Sequence, residues 1–199
     1  MDRTAQVTRK TKETDIVCEL NIDGSGISDI QTGIGFFDHM LSGFAKHGLF
    51  DITLKVSGDL NVDGHHTVED SGIVLGQAFL KAVGNKEGIK RFGDCILPMD
   101  DALVMSAVDV SGRHYMSFDL PLPTAMIGDF DIQLVHEFFY SFADAARINL
   151  HIKKINGENS HHIVEAAFKS VAKSLDAALL TDARIKGVHQ LKAYYRTEV

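Results

Sequence analysis

Apolar and polar positions along the chain follow two periods, and one order of those periods runs through it twice. Ile16, Cys18, Leu20 and Ile22 recur every second residue, the period of a half-buried strand. Together with the stretch from Val7 they predict a strand, a polar turn and a second strand, ended by the turn residues Asp23-Gly24-Ser25-Gly26. Helical spacing follows over Phe36–Lys46, with Gly48 placed as a C-terminal stop. Phe50–Val56 predicts a short strand. A loop through Gly58, Asp59 and Gly64 leads to His65, and Val68, Leu75, Phe79 and Val83 mark a second helix over Thr67–Val83. The order then recurs: strands within Ile96–Val110 and His114–Leu120, a helix over Leu134–Ala146, a strand over Ile148–Ile155 and a long helix over Ile163–Leu180.

The two passes keep register. His65, His66, Val68, Glu69, Leu75, Phe79, Val83, Ile89 and Lys90 each find a like residue 96 positions on: His161, His162, Val164, Glu165, Val171, Leu175, Leu179, Ile185 and Lys186. His39 pairs with His136 at nearly the same offset, each on the preceding helix. Helical period alone would align the apolar positions, but it would not place His-His-x-x-Glu and Ile-Lys at one common offset. The expected fold is therefore α+β with an internal duplication, each half a mainly antiparallel sheet covered by two helices on one face. The halves divide as residues 1–93 and 94–199, fused as one globular subunit.

Composition narrows the function. The chain has 199 residues and a formal net charge of −7, with no basic stripe, which argues against a nucleic-acid partner. The opening Met1-Asp2-Arg3-Thr4-Ala5-Gln6-Val7-Thr8 lacks the apolar core of a signal peptide. No run approaches the roughly 18–20 apolar residues of a membrane span. Cys18 and Cys95 form no C-x-x-C pair and read as reduced, buried or half-buried thiols, so the expected compartment is cytoplasmic. Of ten histidines, six fall into two clusters, and imidazole is the side chain most used to bind transition metals near neutral pH.

In His65-His66-Thr67-Val68-Glu69 the glutamate shares a helix face with His65 or with His66. The adjacent histidines diverge by about 100° around the axis, so they suit two metals rather than one. The same holds for His161, His162 and Glu165. With His39 and His136 the set comprises six imidazoles and two carboxylates, enough for two octahedral sites with open positions. Nitrogen and oxygen ligands without thiolate suit manganese, iron, cobalt or zinc, and do not suit calcium. The spacing differs from the H-E-x-x-H of metalloproteases, so peptide hydrolysis is not indicated.

These residues also carry a resemblance. Asp38-His39-Met40-Leu41, Lys46-His47-Gly48-Leu49-Phe50-Asp51, His65-His66-Thr67-Val68-Glu69-Asp70-Ser71-Gly72, Pro98-Met99-Asp100, Ser111-Gly112-Arg113, His136-Glu137-Phe138-Phe139 and Gly157-Glu158-Asn159-Ser160-His161-His162 resemble the imidazoleglycerol-phosphate dehydratases of histidine biosynthesis. The resemblance runs from about Arg9 to Lys192. It implies two Mn2+ ions per chain, held by His39, His65, His66, Glu69, His136, His161, His162 and Glu165, with the division of ligands between ions left open. It also implies a homo-oligomer of 24 subunits with active sites between them, and a small phosphorylated imidazole as substrate.

The implied reaction removes water from imidazole glycerol phosphate to leave imidazole acetol phosphate. The proton to be lost sits on a carbon with no adjacent carbonyl, so the imidazole ring, held by metal, has to supply the electrons that expel the hydroxyl. Glu13, in Thr11-Lys12-Glu13-Thr14, matches the family's substrate-site glutamate and is the expected acid/base, with Glu69 and Glu165 as further candidates. His39 and His47 also match substrate-contacting positions, and His47 and Asp70 are expected to orient neighbours rather than to react. Arg91 and Arg113 match phosphate-site arginines, whose guanidinium forks suit phosphate oxygens. Relatives carry Pro-Ser-Thr-Lys-Gly near the C-terminus. This chain reads His189-Gln190-Leu191-Lys192-Ala193, keeping Lys192 as the phosphate-site cation and lacking the serine. Two alternatives stand beside this reading: a dinuclear metallohydrolase of a phosphate ester, and a metal-stapled storage or assembly protein.

Overall fold

The computed structural model describes residues 3–189. In the first half, β1 (Thr4–Lys10) and β2 (Thr14–Asn21) form a hairpin, followed by β3 (Ser28–Gln31), α1 (Gly35–Gly48), β4 (Asp51–Gly58) and α2 (His65–Val83). The second half repeats this with β5 (Phe92–Met99), β6 (Ala102–Asp109), β7 (Tyr115–Asp119), α3 (Gln133–Ala146), β10 (Asn149–Asn156) and α4 (Ser160–Leu179). A small hairpin, β8 (Met126–Ile127) and β9 (Phe130–Asp131), is inserted before α3. The sheets have one connectivity, β1-β2-β4-β3 and β5-β6-β10-β7, and in each the last strand pairs in parallel with its neighbour while the other pairings are antiparallel. The duplication read from the register of residues is therefore a duplication of topology.

Alternation sets which sheet face is dry. Ile16, Cys18 and Leu20 on β2, Ile52 and Leu54 on β4, Val104 and Val108 on β6, and Leu150 and Ile152 on β10 are all buried. Each sheet packs on the helices, and the helices pack across the halves, α1 on α4 and α2 on α3. Phe44 of α1, Phe79 of α2 and Phe142 of α3 meet edge to face, with ring centroids 5.5–6.1 Å apart. Phe168 of α4 stacks on Phe138 of α3 at 5.2 Å. One core thus serves both halves.

Four details differ from the sequence expectations. Strand β3 was not expected, because Ser28-Asp29-Ile30-Gln31 has one apolar residue and lies on a mostly exposed edge. The strands expected within Ile96–Val110 are β5 and β6, but the first begins earlier, at Phe92, and the chain turns between them at Asp100-Asp101. Gly48 does not supply the left-handed stop of α1. That residue is Leu49, at φ 58°, and Gly48 is instead a close approach, where an added Cβ would lie 2.3 Å from the Phe50 ring. Finally, α2 and α4 begin at the histidine pairs themselves: Asp63 accepts from the His65 N–H at 2.8 Å, and Asn159 accepts from those of His161 and His162.

Candidate metal centre and active site

All four helices begin at one end of the molecule. The starts of α1, α2 and α3 line a cleft of about 810 Å³ that includes Phe36, Gly64, His65, Leu134 and Glu137. His161, at the start of α4, meets the Phe36 ring at 5.3 Å. The positive ends of four helix dipoles therefore face the same region, which favours carboxylates there. Glu69 and Glu165 sit in it.

Across the α1–α4 seam, His39, His161 and Glu165 converge, with one ligating atom from each all within 4.8 Å of one another. His161 Nε2 lies 3.2 Å and His39 Nε2 3.9 Å from Glu165 Oε2. The other carboxylate oxygen, Oε1, receives Lys169 Nζ at 2.6 Å. Burial works to raise the Glu165 carboxyl, but the hydrogen bond and charge of Lys169, with His39 and His161, hold it below its ordinary value. It is thus an anion with one oxygen engaged by a cation and one aimed at two imidazoles.

The α2–α3 seam is assembled differently. His65 Nε2 is 3.8 Å from Glu69 Oε2, but His136 is not with them: its Nδ1 lies 3.1 Å from Glu137 Oε1 and its ring stacks on Tyr140. Among the described residues, His39, His161 and Glu165 are the group that converges as a ready ligand set. The second member of each histidine pair faces an aspartate, His66 Nδ1 at 2.9 Å from Asp59 and His162 Nδ1 at 2.6 Å from Asp101. The Asp59 hydrogen bond raises His66 against the effect of burial, helped by the Asp59 and Glu13 charges. Backbone N–H groups of Glu158 and Asn159 and the His162 ring hold Asp101 well below the usual carboxylate range.

Glu13 sits exposed in the β1–β2 turn, near enough to His66 for its charge to count, and its N–H donates to Thr11 Oγ1 at 3.1 Å. Asp70 accepts from Thr14 and pairs with Arg9, which ties α2 to the base of that turn. His47 lies two turns beyond His39 on α1. Burial first, then the charges of Lys169 and Lys173, lower its pKa against the pull of Glu165. Asp59, Asp101 and Lys169 were not singled out from the sequence. Only Lys169, four residues after Glu165 on one helix face, had a readable signal.

The arginines are elsewhere. Arg91 is held by Asp109 through Nε at 2.7 Å and Nη2 at 3.1 Å, donates from Nη1 to the His189 carbonyl at 2.8 Å, and lies over the Phe92 ring. Two rulers measure how far that is from the histidines. Phe92 pairs with Asp109 at one end of the β5–β6 hairpin and Met99 with Ala102 at the other, seven residues or about 23 Å away. Along α4, sixteen residues, about 24 Å, separate His162 from Ala178, whose carbonyl accepts the Arg91 N–H. Arg113 follows β6 at the Arg91 end. Lys192 lies outside the described residues.

Fold and site together define a duplicated α+β enzyme with an imidazole–carboxylate cluster where its four helices begin. The family model for imidazoleglycerol-phosphate dehydratase matches residues 32–175. Imidazoleglycerol-phosphate dehydratase of Lachnoclostridium phytofermentans is 57% identical over 192 residues, covering 96% of this chain and 98% of the relative. That of Caldanaerobacter subterraneus subsp. tengcongensis is 58% identical over 190 residues, covering 96% and 98%. The crystal structure of the Staphylococcus aureus enzyme of that name superposes with a TM-score of 0.82 at 37% identity, covering 90% of this chain and 99% of that one. The chain belongs to the imidazoleglycerol-phosphate dehydratase family, a family of hydro-lyases.

Proposed function

We propose that the chain is a manganese-dependent dehydratase that converts imidazole glycerol phosphate to imidazole acetol phosphate and water in histidine biosynthesis. The observation that carries the metal part is the convergence of His39, His161 and Glu165 from the two halves. Two imidazoles and a carboxylate, with no thiolate, are a donor set suited to manganese, and atoms within 4.8 Å of one another are near enough to close on one ion. His65, Glu69 and His136 are the residues proposed to hold a second, with His66 and His162 each proposed to serve the ion that its neighbour in the pair does not. When bound, the metal supplies a Lewis acid and a template for the substrate's imidazole ring.

The remaining work falls to side chains. Glu13, exposed at a hairpin tip beside His66, is proposed to move the protons, a role worth about 10²–10⁴-fold in rate. Glu165 is less suited, since Lys169 and the imidazoles occupy its oxygens. Arg91 is proposed to grip the phosphate: Asp109 fixes the plane of its guanidinium, and Nη1, now on a backbone carbonyl, can turn to a stronger anionic acceptor. Arg113 is proposed to join it, with Lys192 as the third cation.

A substrate of this size cannot span the roughly 23 Å between Arg91 and His162 in one chain. We therefore infer that the phosphate clamp and the metal end that share a substrate belong to different copies of the chain. This supports a homo-oligomer with active sites between subunits, for which 24 copies is the expectation. No helix among the described residues is long and apolar enough to cross a membrane. The free thiols Cys18 and Cys95 fit a reducing cytoplasm. The test is incubation of manganese-loaded protein with imidazole glycerol phosphate. Imidazole acetol phosphate without inorganic phosphate is expected. Phosphate release would instead indicate a hydrolase, and no turnover a storage protein.

A further inference from the structure

The four imidazoles of the two His-His pairs are held in two ways. His65 and His161 approach the glutamate one turn further on through Nε2. His66 and His162 are gripped at Nδ1 by carboxylates outside the repeated motif, Asp59 Oδ2 at 2.9 Å and Asp101 Oδ1 at 2.6 Å. An ionised carboxylate only accepts hydrogen bonds, so in both cases Nδ1 carries the proton. The neutral ring then has its lone pair on Nε2, and on His162 that atom lies 3.5 Å from Asp100 Oδ2, a further carboxylate oxygen beside the place a cation would take.

Each aspartate is built to hold its ring still. The oxygens of Asp101 divide the work: Oδ1 takes His162, while Oδ2 accepts the backbone N–H groups of Glu158 at 2.7 Å and Asn159 at 3.1 Å. The β5–β6 turn is thereby tied to the start of α4, and the carboxylate that holds the ring is itself fixed in place. Asp59 keeps Oδ1 buried with no hydrogen-bond partner among the described residues while Oδ2 holds His66. A buried oxygen left so is costly to the fold, which indicates that the carboxylate is kept for the ring. Nor is the arrangement a copy made by the duplication. Asp59 follows β4, where the second half has Gly157 after β10, whereas Asp101 joins β5 to β6, where the first half has Glu13 at the β1–β2 tip. Two unrelated places in the chain supply one and the same contact.

We propose that Asp59 and Asp101 are positioning residues, which fix His66 and His162 in the Nδ1–H tautomer so that each presents Nε2 to a divalent cation. The proposal rests on the metal reading above. A histidine that donates its second ring N–H to a carboxylate is the usual partner of a bound metal, and loss of such a carboxylate costs about 10–100-fold in affinity.

The test uses the full chain, stripped by chelator and titrated with Mn2+. Free ion is read from its EPR signal, and bound ion by pulsed EPR for couplings to imidazole nitrogen. In Asp59→Asn and Asp101→Asn the new amide can donate to Nδ1, which moves the ring proton to Nε2 and blocks it. Each variant is expected to bind one ion about 10–100-fold more weakly and to lose an imidazole coupling. Asp59→Glu and Asp101→Glu, which keep the carboxylate, are expected to recover most of the affinity. Suppose the wild type binds manganese through imidazole and both Asn variants match it. The positioning proposal then falls and the metal reading stands, even if the variants melt at a lower temperature. A wild type that binds no manganese overturns both. Should Asp101→Asn fail to fold, Asp59→Asn decides, because His66 is the only hydrogen-bond partner of that carboxylate among the described residues.

Discussion

The α1–α4 and α2–α3 seams descend from one duplicated motif, yet they do different things. On α2, Gly72 and Gly76 let α3 press against the helix backbone, where an added Cβ would stand 2.7 Å from the Phe138 carbonyl oxygen and 2.5 Å from that of Phe142. The equivalent positions of α4 are Phe168 and Ala172. The seam without that glycine pair carries the finished ligand group and Lys169, whose counterpart 96 positions earlier is Ile73. The hairpin tips differ as well. The first exposes Glu13, while the second has Asp101 bonded to His162 and the start of α4. Duplication supplied two copies of the His-His-x-x-Glu motif, and divergence around them gave one copy a cationic support and the other a tight helix contact.

The largest expected effect separates the two tips. Glu13→Gln is expected to lower kcat by about 10²–10⁴-fold while manganese content and oligomer mass stay unchanged. Full turnover in that variant would transfer the proton-moving role to Glu69 or Glu165. Next comes the packing contrast between helices. Gly76→Ala should destabilise by about 1–3 kcal/mol, because its Cβ has no room. Gly43→Ala on α1, which has nothing within 4 Å, should stabilise by about 0.4–1 kcal/mol. Melting temperatures of the two variants that moved in the same direction would contradict the difference between the seams.

The smallest effect concerns His47, in the α1–α4 seam. Its folded pKa lies below the ordinary 6.5, so above that pH the ring is neutral in both states and adds no pH dependence. As pH falls through 6.5 toward the folded value, the unfolded chain takes up a proton that the folded one refuses, and stability declines. Metal-free His47→Gln should therefore lose less thermal stability than the wild type between neutral pH and about pH 5.5. An equal or steeper loss would show that burial and the two lysines do not govern this ring.

What could be read from the chain follows from the range of each signal. Periods of two and of helical spacing reflect the burial of one face, so the strands of the sheet interiors and all four helices were legible. Edge strand β3 has no buried face to impose a period, and it was not. His-His-x-x-Glu is a local pattern, so the candidate ligands could be named from the chain, but their grouping depends on how the halves dock. The sequence expectation therefore left open which imidazoles share an ion, and the structure joins His39 to His161 rather than to the histidines of its own half. Asp59 and Asp101 look like ordinary turn residues until the fold brings an imidazole to each. Distance was illegible too: Arg91 adjoins one end of the β5–β6 hairpin and of α4, His162 the other, and only the lengths of those elements reveal how far apart they stand.

The most direct measurement is manganese bound per chain, determined by elemental analysis after dialysis, for the wild type, Glu165→Gln and Glu69→Gln. Two ions in the wild type and loss of one in Glu165→Gln are expected, because that carboxylate is the only acidic member of the converged group. Glu69→Gln should keep the ion of the α1–α4 seam. A wild type with no bound manganese, or a Glu165→Gln variant that holds both ions as tightly as the wild type, would contradict a metal centre built across the two halves.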